Sequence, residues 1–375
     1  MPSDEAGDQR PEAAKPLTAN LQPRASPLAV GDLTEAELIA RIQRHLPPAP
    51  DWLLVGIGDD AAVVEPERNR AEVLTVDALV EGVHFDRAFV PPDAIGHRAL
   101  AVNLSDLAAM GAAPRLALLS FALPPHLPLT DFESLIGGLT RLAALHRVHV
   151  AGGNLTRSPG PLMLDITVTG TVKRRQALTR AGARPGDEIY VSGTLGAAAA
   201  GLRMLKSAAK DPESSTTEES LSPPSTSVAS VVAFCTRHYL YPEPRVRLGL
   251  LLARNRAASA AIDLSDGLAD GVHRIAEASG VGAVVDAEAL PIDAGARAWF
   301  EARGLDPVAE ALSAGDDYEL LITVRPRTGR RLSAASRHGG APLTRIGLCT
   351  EGGAVMLRER AAERELPRAG YDHFR

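Results

Sequence analysis

Hydrophobic residues follow two spacings along this chain, and each spacing predicts one kind of element. Short apolar runs predict strands at residues 53–55, 61–64, 73–76, 116–123, 148–151, 162–172, 188–191, 260–263, 282–285 and 318–324. Apolar residues three and four positions apart predict helices at residues 32–46, 95–110, 132–145, 196–205 and 267–278. Because strands and helices interleave throughout, the pattern predicts an α/β (α+β) fold with two domains.

Two segments lack this pattern. Residues 1–31 are polar and rich in proline, alanine and charge, and we expect a disordered N-terminal arm. Residues 206–230 are rich in serine, threonine, proline and glutamate, and we expect a surface insertion, which a folded domain tolerates at small entropic cost. A basic stretch with glycine and proline near 173–186 predicts the boundary between an N-terminal domain, residues 32–172, and a C-terminal domain, residues 173–375.

Composition narrows the class of protein. The 375 residues carry a formal net charge of −6, which disfavours a nucleic-acid partner. The two cysteines, Cys235 and Cys349, form no CxxC pair, so a zinc–thiolate site is disfavoured and a reducing cytoplasmic compartment is expected. The start of the chain lacks the pattern of a secretory signal, and no apolar run reaches the roughly 18 residues of a spanning helix, so no membrane association is expected.

The candidate chemistry lies in short acidic motifs beside glycine or at the ends of predicted strands. These motifs are Gly58-Asp59-Asp60, Thr75-Val76-Asp77, Ser105-Asp106, Asp263-Leu264-Ser265-Asp266 and Gly315-Asp316-Asp317. Carboxylates that converge repel each other unless a cation lies between them, and Mg²⁺ prefers oxygen ligands. The motifs therefore favour magnesium-dependent polyphosphate chemistry. Each motif taken alone is more often a turn or a helix cap than a ligand, and it is the number of such motifs in one chain that favours the metal site. Neither a GxxxxGK[ST] loop nor a kinase motif pair is present.

The ordered set of motifs resembles the thiamine-monophosphate kinase family. The segments that carry the resemblance are GIGDDAAVV from Gly56, TVDALVEGVHF from Thr75, ALAVNLSDLAAMGAAP from Ala99, AGGNLTR from Ala151, ALTRAGARPGD from Ala177, IDLSDGL from Ile262, AGDDYEL from Ala314 and the closing GYDHF from Gly370. They run in order from about residue 32 to residue 374. The wider superfamily includes aminoimidazole ribonucleotide synthetase and selenophosphate synthetase, and the chain lacks the reactive cysteine that the latter carries near its N-terminus.

The resemblance implies a fold, a reaction and a set of site residues. The implied fold is two α/β domains of the aminoimidazole ribonucleotide synthetase type, with N-terminal domains that pair into a dimer barrel. The implied reaction is direct, magnesium-assisted transfer from ATP to thiamine monophosphate, the last step of thiamine diphosphate synthesis. The implied metal ligands are Asp60, Thr75, Val76 (through its carbonyl), Asp77, Asp106, Asn154, Asp263 and Asp266. Among these, Asp77, Asp106 and Asp263 are the candidate catalytic residues. The implied ATP-binding residues are Gly153, Asn154, Arg180 and Ser265, and the implied substrate-binding residues are His84, Asp316 and Arg368.

The sequence departs from the family at several of these positions. Asp316 replaces the glutamate of a GGEDYEL motif, and Asn154 is a neutral donor. Arg368 stands where the family carries an aromatic ring that stacks on the substrate, and an arginine would repel the cationic thiazolium. Tyr371 or Phe374 is a possible substitute for that ring. Two other readings stay open: a sister ATP-using enzyme such as aminoimidazole ribonucleotide synthetase, and a degenerate member that binds nucleotide or metal without turnover.

Overall fold

The computed structural model describes residues 28–210, 228–360, 362–371 and 374. The elements of the N-terminal half are α1 (Glu35–His45), β1 (Leu53–Val55), β2 (Val63–Val64), β3 (Arg70–Val80), α2 (Pro92–Ala109), β4 (Ala113–Leu123), α3 (Leu129–His146), β5 (His149–Arg157) and β6 (Met163–Lys173). Those of the C-terminal half are β7 (Glu188–Ser192), α4 (Ala197–Lys210), α5 (Val228–Leu240), α6 (Val246–Asn255), β8 (Ala260–Asp263), α7 (Leu268–Ser279), β9 (Gly282–Asp286), α8 (Ala294–Glu301), α9 (Pro307–Ser313), β10 (Leu320–Val324), α10 (Gly329–Gly339), β11 (Leu343–Thr350), β12 (Val355–Glu359) and β13 (Ala362–Glu365).

The N-terminal domain contains a four-stranded sheet in the order β3-β6-β4-β5. One face of this sheet is apolar and buried: Leu164, Ile166 and Val168 on β6 alternate with partly exposed polar residues on the other face. The buried face packs on α2 and α3, as expected for a strand with period-two alternation. The strands β3 and β5 form the two edges of the sheet. The face that points away from α2 and α3 leaves three apolar side chains exposed, those of Leu74, Val76 and Leu118.

The helices α2 and α3 pack unusually closely because glycine lies at their contact. A Cβ atom at Gly96 would lie 1.9 Å from the Leu135 carbonyl oxygen, and one at Gly138 would lie 1.9 Å from the Asp93 carbonyl oxygen. Only glycine leaves room for backbones this near. The close contact holds α2 rigidly under the sheet, and α2 is the helix that carries two of the candidate site residues.

The C-terminal domain contains a seven-stranded mixed sheet in the order β13-β12-β9-β11-β7-β10-β8. The short strand β8 forms one edge, and it pairs antiparallel with β10 so that Asp263 lies opposite Leu320. All four residues of β8 are buried. Asp263 is therefore a carboxylate at the buried end of an apolar strand, beside the N-terminal domain. The prediction of two α/β domains is confirmed in this architecture.

Several expected boundaries shift. Residues 28–31 were assigned to the arm, but Val30 is buried, and its backbone N–H donates to the Leu127 carbonyl oxygen at 2.8 Å. Residues 206–210 and 228–230, assigned to the insertion, belong to α4 and α5. Residues 1–27 and 211–227 lie outside the described part of the chain. No helix in the described residues is long and apolar enough to cross a membrane.

Three predicted elements also differ in extent. The strand expected at 73–76 runs over all of β3, and the one expected at 148–151 continues to Arg157. Polar residues continue these strands because the described residues leave one face of the sheet uncovered. The first helix, expected from residue 32, begins after Thr34, whose side chain caps it by accepting a hydrogen bond from the Glu37 N–H.

Candidate active site

The first part of the site lies where β3 faces α2. Asp77 lies in the middle of β3 rather than at a strand end, on the face of the strand turned toward α2. Its carboxylate is within hydrogen-bonding reach of Asp106 near the end of α2. The Thr75 hydroxyl, two residues earlier on the same face, donates to Asp106 Oδ2. The strand period of two therefore places Thr75 and Asp77 together, and the helix adds Asp106.

The second part comes from the C-terminal domain. Asp263 at the end of β8 accepts a hydrogen bond from the Ser105 hydroxyl at 2.7 Å, and both residues are buried. Ser105 and Asp106 are neighbours inside α2, not helix caps. The hydrogen bond therefore joins the two domains at the same point where α2 meets β3.

Asp266 completes the group from the loop between β8 and α7. Although Asp263 and Asp266 are three positions apart, they do not share one face of a helix, because Asp263 ends a strand and α7 begins only at Leu268. Asp266 nevertheless lies near enough to raise the pKa of Asp77. We call Asp77, Asp106, Asp263 and Asp266 the interdomain acid cluster.

The electrostatics of this cluster are unfavourable for four charged carboxylates. Burial, and then the charges of Asp106, Asp263 and Asp266, raise the pKa of Asp77 to about 7. Burial and the neighbouring Asp106 likewise raise the pKa of Asp263 to about 7, although the Ser105 hydroxyl acts in the opposite direction. Burial also raises the pKa of Asp106. Cations would relieve this repulsion.

Arg180, in the connection between β6 and β7, is close enough to lower the pKa values of Asp106 and Asp263. Within the described residues, no group of three or more histidine, cysteine, aspartate or glutamate side chains is arranged to hold a metal ion by itself. Mg²⁺ typically takes one or two protein carboxylates and completes its shell with water and substrate phosphates. The oxygen donors of the cluster fit that mode of binding.

A second set of acidic residues lies in one short segment of the chain and consists of Asp316, Asp317 and Glu319. Each of these carboxylates has a hydrogen-bond or ion-pair partner within the protein. Asp316 Oδ1 accepts a hydrogen bond from Arg98 at 2.8 Å. The buried Asp317 accepts from the Gly196 N–H at 3.1 Å, at the start of α4. Glu319 is paired with Arg245 at 2.5 Å and accepts from the Ser192 hydroxyl. We call these three residues the paired acids.

Backbone hydrogen bonds join the paired acids to the loop of the acid cluster. The Asp316 N–H donates to the Ser265 carbonyl oxygen at 2.8 Å, and the Tyr318 N–H donates to that of Leu264 at 2.9 Å. Ser265, the expected nucleotide contact, therefore lies between Asp263 and Asp316. The two motifs that the sequence placed fifty residues apart form a single wall of the site.

Asp60 and Val76 are expected metal ligands that the structure does not bring to the cluster through their side chains. Asp60 lies exposed in the loop between β1 and β2, and its N–H donates to Asp59 Oδ1 at 2.9 Å. In the described residues the carboxylate of Asp60 has no hydrogen bond or ion pair. The Val76 side chain is 58% exposed on the opposite face of β3, so only its carbonyl group is available on the cluster side.

Gly153 and Asn154, the expected nucleotide and metal residues, lie on the far edge of the sheet. The register across the sheet runs from Asp77 to Ile166, then to Leu119, then to Gly153. Neighbouring strands are about 4.8 Å apart, so three steps separate Asp77 from Gly153 by roughly 14 Å. Within one chain, Asn154 and the acid cluster do not meet.

The expected substrate residues occupy different places. His84 follows β3, and its Nδ1 accepts a hydrogen bond from the Val80 N–H at 3.0 Å. Asp316 lies near the centre of the domain junction. Arg368 instead pairs with Asp270 at 3.2 Å and Glu277 at 2.9 Å on α7. Its guanidinium group is therefore held on α7, which counts against the expected contact with substrate.

The sequence reading missed Arg98, Ser105 as a partner of Asp263, and Tyr239. Arg98 and Ser105 are seven residues apart and share one face of α2. A signal was present, because Arg98 is the one lysine or arginine in a helix that is largely apolar over residues 94–109. Tyr239 gave no comparable signal, because it joins the site from α5, which the apolar pattern did not predict.

Comparisons with known proteins agree with this architecture. The chain matches the sequence models of two consecutive domains, "AIR synthase related protein, N-terminal domain" over residues 58–172 and "AIR synthase related protein, C-terminal domain" over residues 184–358. The thiamine-monophosphate kinase of Bacillus subtilis is 35% identical over 325 residues, which cover 86% of this chain and 94% of that protein. That of Escherichia coli K12 is 36% identical over 342 residues, which cover 91% and 98%.

Solved structures give the same result. The crystal structure of thiamine-monophosphate kinase from Stenotrophomonas maltophilia K279a is 39% identical with a TM-score of 0.72, covering 88% of this chain and 98% of that one. The structure described as "AaThiL complexed with AMPPCP and TMP" is 32% identical with a TM-score of 0.68, covering 85% and 92%. A hydrogenase maturation protein in complex with ATP, at 20% identity and a TM-score of 0.66, shares the fold.

Proposed function

Since the chain belongs to the thiamine-monophosphate kinase family, with the two domains of the AIR synthase related proteins, we propose that it transfers the γ-phosphoryl group of ATP to the phosphate of thiamine monophosphate. The bond between the γ-phosphorus and the bridging oxygen breaks, and a bond to the acceptor phosphate oxygen forms. The products are ADP and thiamine diphosphate. The family resemblance read from the sequence motifs is thereby confirmed.

The observation that carries the proposal is the interdomain acid cluster, in which carboxylates from both domains meet with Arg180 beside them. A phosphate monoester has a second pKa of about 6, so the acceptor oxygen is already charged near neutral pH and needs no general base. The difficulty of the reaction is the approach of two polyanions. Catalysis of this kind depends on positioning and charge stabilisation.

We infer that magnesium ions bind at the cluster. Asp77, Asp106, Asp263 and Asp266 would hold them, together with the Thr75 hydroxyl, since hard cations prefer such oxygen donors. When bound, the metal supplies positive charge to the phosphate oxygens. The raised pKa values of Asp77 and Asp263 support this assignment, because the carboxylates repel each other in the chain alone.

The chain's own residues orient the reactants. Arg180 offers a planar guanidinium group to ATP phosphates at the edge of the cluster. Ser105 fixes the Asp263 carboxylate through a 2.7 Å hydrogen bond, so that its other oxygen is presented in one direction. Ser265 lies between the cluster and Asp316 and is placed to contact nucleotide. His84 and Asp316 lie on the side of the site that we assign to thiamine monophosphate.

The uncovered face of the N-terminal sheet supports a homodimer. Leu74 is 69% exposed, Val76 58% and Leu118 37%, all on the face opposite the helices. A second copy packed against this face would bury these side chains. Two four-stranded sheets related by a two-fold axis can close into a barrel when the β5 edge of one lies beside the β3 edge of the other.

Such a barrel would also complete the site. Asn154 of the partner subunit would lie beside Thr75 and Asp77, which resolves the roughly 14 Å separation of these residues within one chain. An inactive Asp77→Asn chain and an inactive Asn154→Leu chain should then restore activity when they are refolded together, to about a quarter of the wild-type value, because half of the dimers hold one intact site. The absence of any recovery would place each site within one chain.

The reaction itself is tested with ATP labelled in the γ-phosphate. The protein, Mg²⁺ and thiamine monophosphate should give labelled thiamine diphosphate in equal amount to ADP, and free thiamine should give no labelled product. ADP and free phosphate without thiamine diphosphate would contradict the proposal. ATP binding without any turnover would identify a degenerate member of the family.

A further inference from the structure

A buried arginine outside the acid cluster connects the two residues that we assign to thiamine monophosphate. Arg98 lies on α2 and is 1% exposed, one of the largest fully buried side chains in the described chain. A buried guanidinium group costs several kcal/mol in solvation unless it is well paired. Its Nε atom has no hydrogen-bond partner in the described residues, so the pairing is incomplete. An apolar side chain would fill this space at lower cost, so stability alone does not account for Arg98.

The contacts of Arg98 lead to Asp316. One terminal nitrogen donates to Asp316 Oδ1 at 2.8 Å, and the Tyr318 hydroxyl donates to the same oxygen at 3.1 Å. Both donors reach Oδ1, and within the described residues no donor reaches Oδ2. Asp316 has a backbone φ of +68°, a left-handed conformation that is uncommon outside glycine but that aspartate tolerates better than most residues. The ion pair with Arg98 therefore fixes the side chain of this turn residue and leaves its second carboxylate oxygen without a protein donor in the described residues.

The other contacts of Arg98 lead to His84. Its guanidinium carbon lies 4.3 Å from the centre of the Tyr239 ring on α5, and its second terminal nitrogen donates to the Tyr239 carbonyl oxygen. The Tyr239 hydroxyl in turn donates to the His84 carbonyl oxygen at 3.4 Å. Tyr239 thus connects the loop that carries His84 with the helix that carries Arg98.

Helix α2 sets the distance between Arg98, which holds Asp316, and the acid cluster. Arg98 and Ser105 are seven residues apart on one face, which corresponds to about 10.5 Å along the axis. Arg98 holds Asp316 and Ser105 holds Asp263. The same rigid helix, packed on α3 through Gly96, therefore fixes two parts of the C-terminal domain at a constant spacing.

We propose that Arg98 and Tyr239 are positioning residues for the thiamine end of the substrate, which they set by holding Asp316 and His84 at a fixed distance from the acid cluster. This inference rests on the proposed function. The acceptor class is a phosphate monoester with an attached organic cation, and Asp316 Oδ2 offers that end a negative oxygen. Arg98 and Tyr239 contact Asp316 and His84 and are not members of the acid cluster, so we expect them to affect the binding of thiamine monophosphate rather than that of ATP.

Steady-state kinetics of three variants test the proposal, with both substrates varied. Tyr239→Phe removes only the hydrogen bond to His84, and the KM for thiamine monophosphate should rise about threefold. Arg98→Met leaves Asp316 unpaired and should raise the same KM by about tenfold or more. Arg98→Lys keeps the positive charge but loses the planar guanidinium group with its several N–H donors. Its KM for thiamine monophosphate should therefore lie between those of the wild type and Arg98→Met. The KM for ATP and kcat at saturation should change less than about twofold.

Two controls match the variants chemically. Tyr241→Phe removes a tyrosine hydroxyl that donates to Asp93 at 3.0 Å, two residues from Tyr239. Arg203→Lys alters an arginine that pairs with Glu310 at 2.6 Å and lies 5.7 Å from the Phe300 ring. Neither contacts His84 or Asp316, and both should leave the KM for thiamine monophosphate unchanged.

The outcomes separate the two claims. If the wild-type protein forms no thiamine diphosphate, the proposed function fails and this inference fails with it. If the wild-type protein is active but Tyr239→Phe and Arg98→Lys leave the KM for thiamine monophosphate unchanged, only the positioning role is overturned. A loss of kcat with equal changes in both KM values would also overturn it, since that result identifies a general structural role. Should Arg98→Met fail to fold, Tyr239→Phe and Arg98→Lys still decide the question.

Discussion

The interdomain acid cluster and the paired acids are alike in sequence but opposite in physical character. Both consist of acidic residues from short motifs in segments that resemble the same family. The paired acids have protein partners: Arg98 for Asp316, the start of α4 for Asp317, and Arg245 for Glu319. The cluster acids lie close to one another, and their cationic neighbours are Arg180 beside Asp106 and Asp263 and Arg274 at 3.7 Å from Asp266. Burial and the acidic neighbours nevertheless raise the pKa of Asp77 to about 7.

This difference in pairing indicates which of the two groups of carboxylates is suited to bind a cationic ligand. A carboxylate that a protein neutralises internally stabilises the fold, whereas carboxylates left in mutual repulsion lower the stability of the chain alone. Such a cost is expected at sites that bind cations or other charged ligands. We therefore assign the proposed reaction site to the cluster, with the paired acids as its wall.

The largest expected effect separates activity from stability at Asp77. Asp77→Asn removes a charge from the proposed metal site and should lower kcat at least about 10³-fold, the scale of a lost charge-stabilising group. The same change relieves repulsion, so without magnesium the variant should melt at a higher temperature than the wild type. The assay for thiamine diphosphate and a thermal melt measure both effects. A variant that keeps wild-type turnover would remove Asp77 from the site.

The reverse result is expected at the paired acids. Arg245→Met leaves Glu319 buried without its charged partner and should lower the free energy of unfolding by about 3–5 kcal/mol. Urea titration followed by circular dichroism gives this value. A loss below about 1 kcal/mol would show that Glu319 does not depend on the pair. The matched variant Arg345→Met, whose ion pair with Glu188 is exposed, should lose less than about 1 kcal/mol.

A pH titration sharpens the comparison further. The folded pKa of Asp77, about 7, lies above that of the unfolded chain, so between roughly pH 4 and 7 the folded state binds more protons. The contribution of this group to stability therefore falls as the pH rises through that window and is constant above it. Without magnesium we expect a loss of about 2 kcal/mol, reduced by partial solvent exposure. Asp77→Asn should show a smaller slope in urea titrations between pH 4 and 8, and an unchanged slope would contradict the assignment.

The smallest expected effect concerns the bond between the domains. Ser105→Ala removes the hydroxyl that donates to Asp263 and should lower the free energy of unfolding by about 1 kcal/mol. It should also lower kcat by about tenfold, since the carboxylate loses its fixed orientation. Ser207→Ala, which removes an exposed helical hydroxyl, is a suitable control. Equal kcat values for Ser105→Ala and the wild type would show that the orientation of Asp263 does not depend on Ser105.

The sequence predicted the components of the site better than their arrangement. The spacing of apolar residues along the chain was sufficient to predict two α/β domains, because the buried faces of elements such as β6 and α2 consist of apolar side chains. The acids Asp77, Asp106 and Asp263 were predicted from the family motifs, and the structure brings them together. Within one chain, the side chains of Asp60 and Arg368 lie away from that group, and their predicted roles stay predictions. Their neighbours, an exposed loop and the acidic face of α7, are set by tertiary packing.

Other features depend on strand order, which local patterns do not contain. Asn154 lies in a clear motif, but only the order β3-β6-β4-β5 shows that it is on the far edge from Asp77. Arg98 and Tyr239 meet because α5 returns to α2 after the segment 211–227, across more than a hundred residues. A lone arginine in an apolar helix indicated that a partner exists, but it did not identify that partner.

The most direct test of the central claim is a magnesium titration of the wild-type protein and Asp77→Asn, followed by thermal melting with a non-hydrolysable ATP analogue at a fixed concentration. The account predicts that the wild type is the less stable of the two without magnesium, gains stability as the ion concentration rises, and overtakes the variant, because binding to the folded state adds RT ln(1 + [L]/Kd). It also predicts that Asp77→Asn gains little. Equal gains in both proteins would contradict the claim that the repelling acids at the domain junction are the metal site.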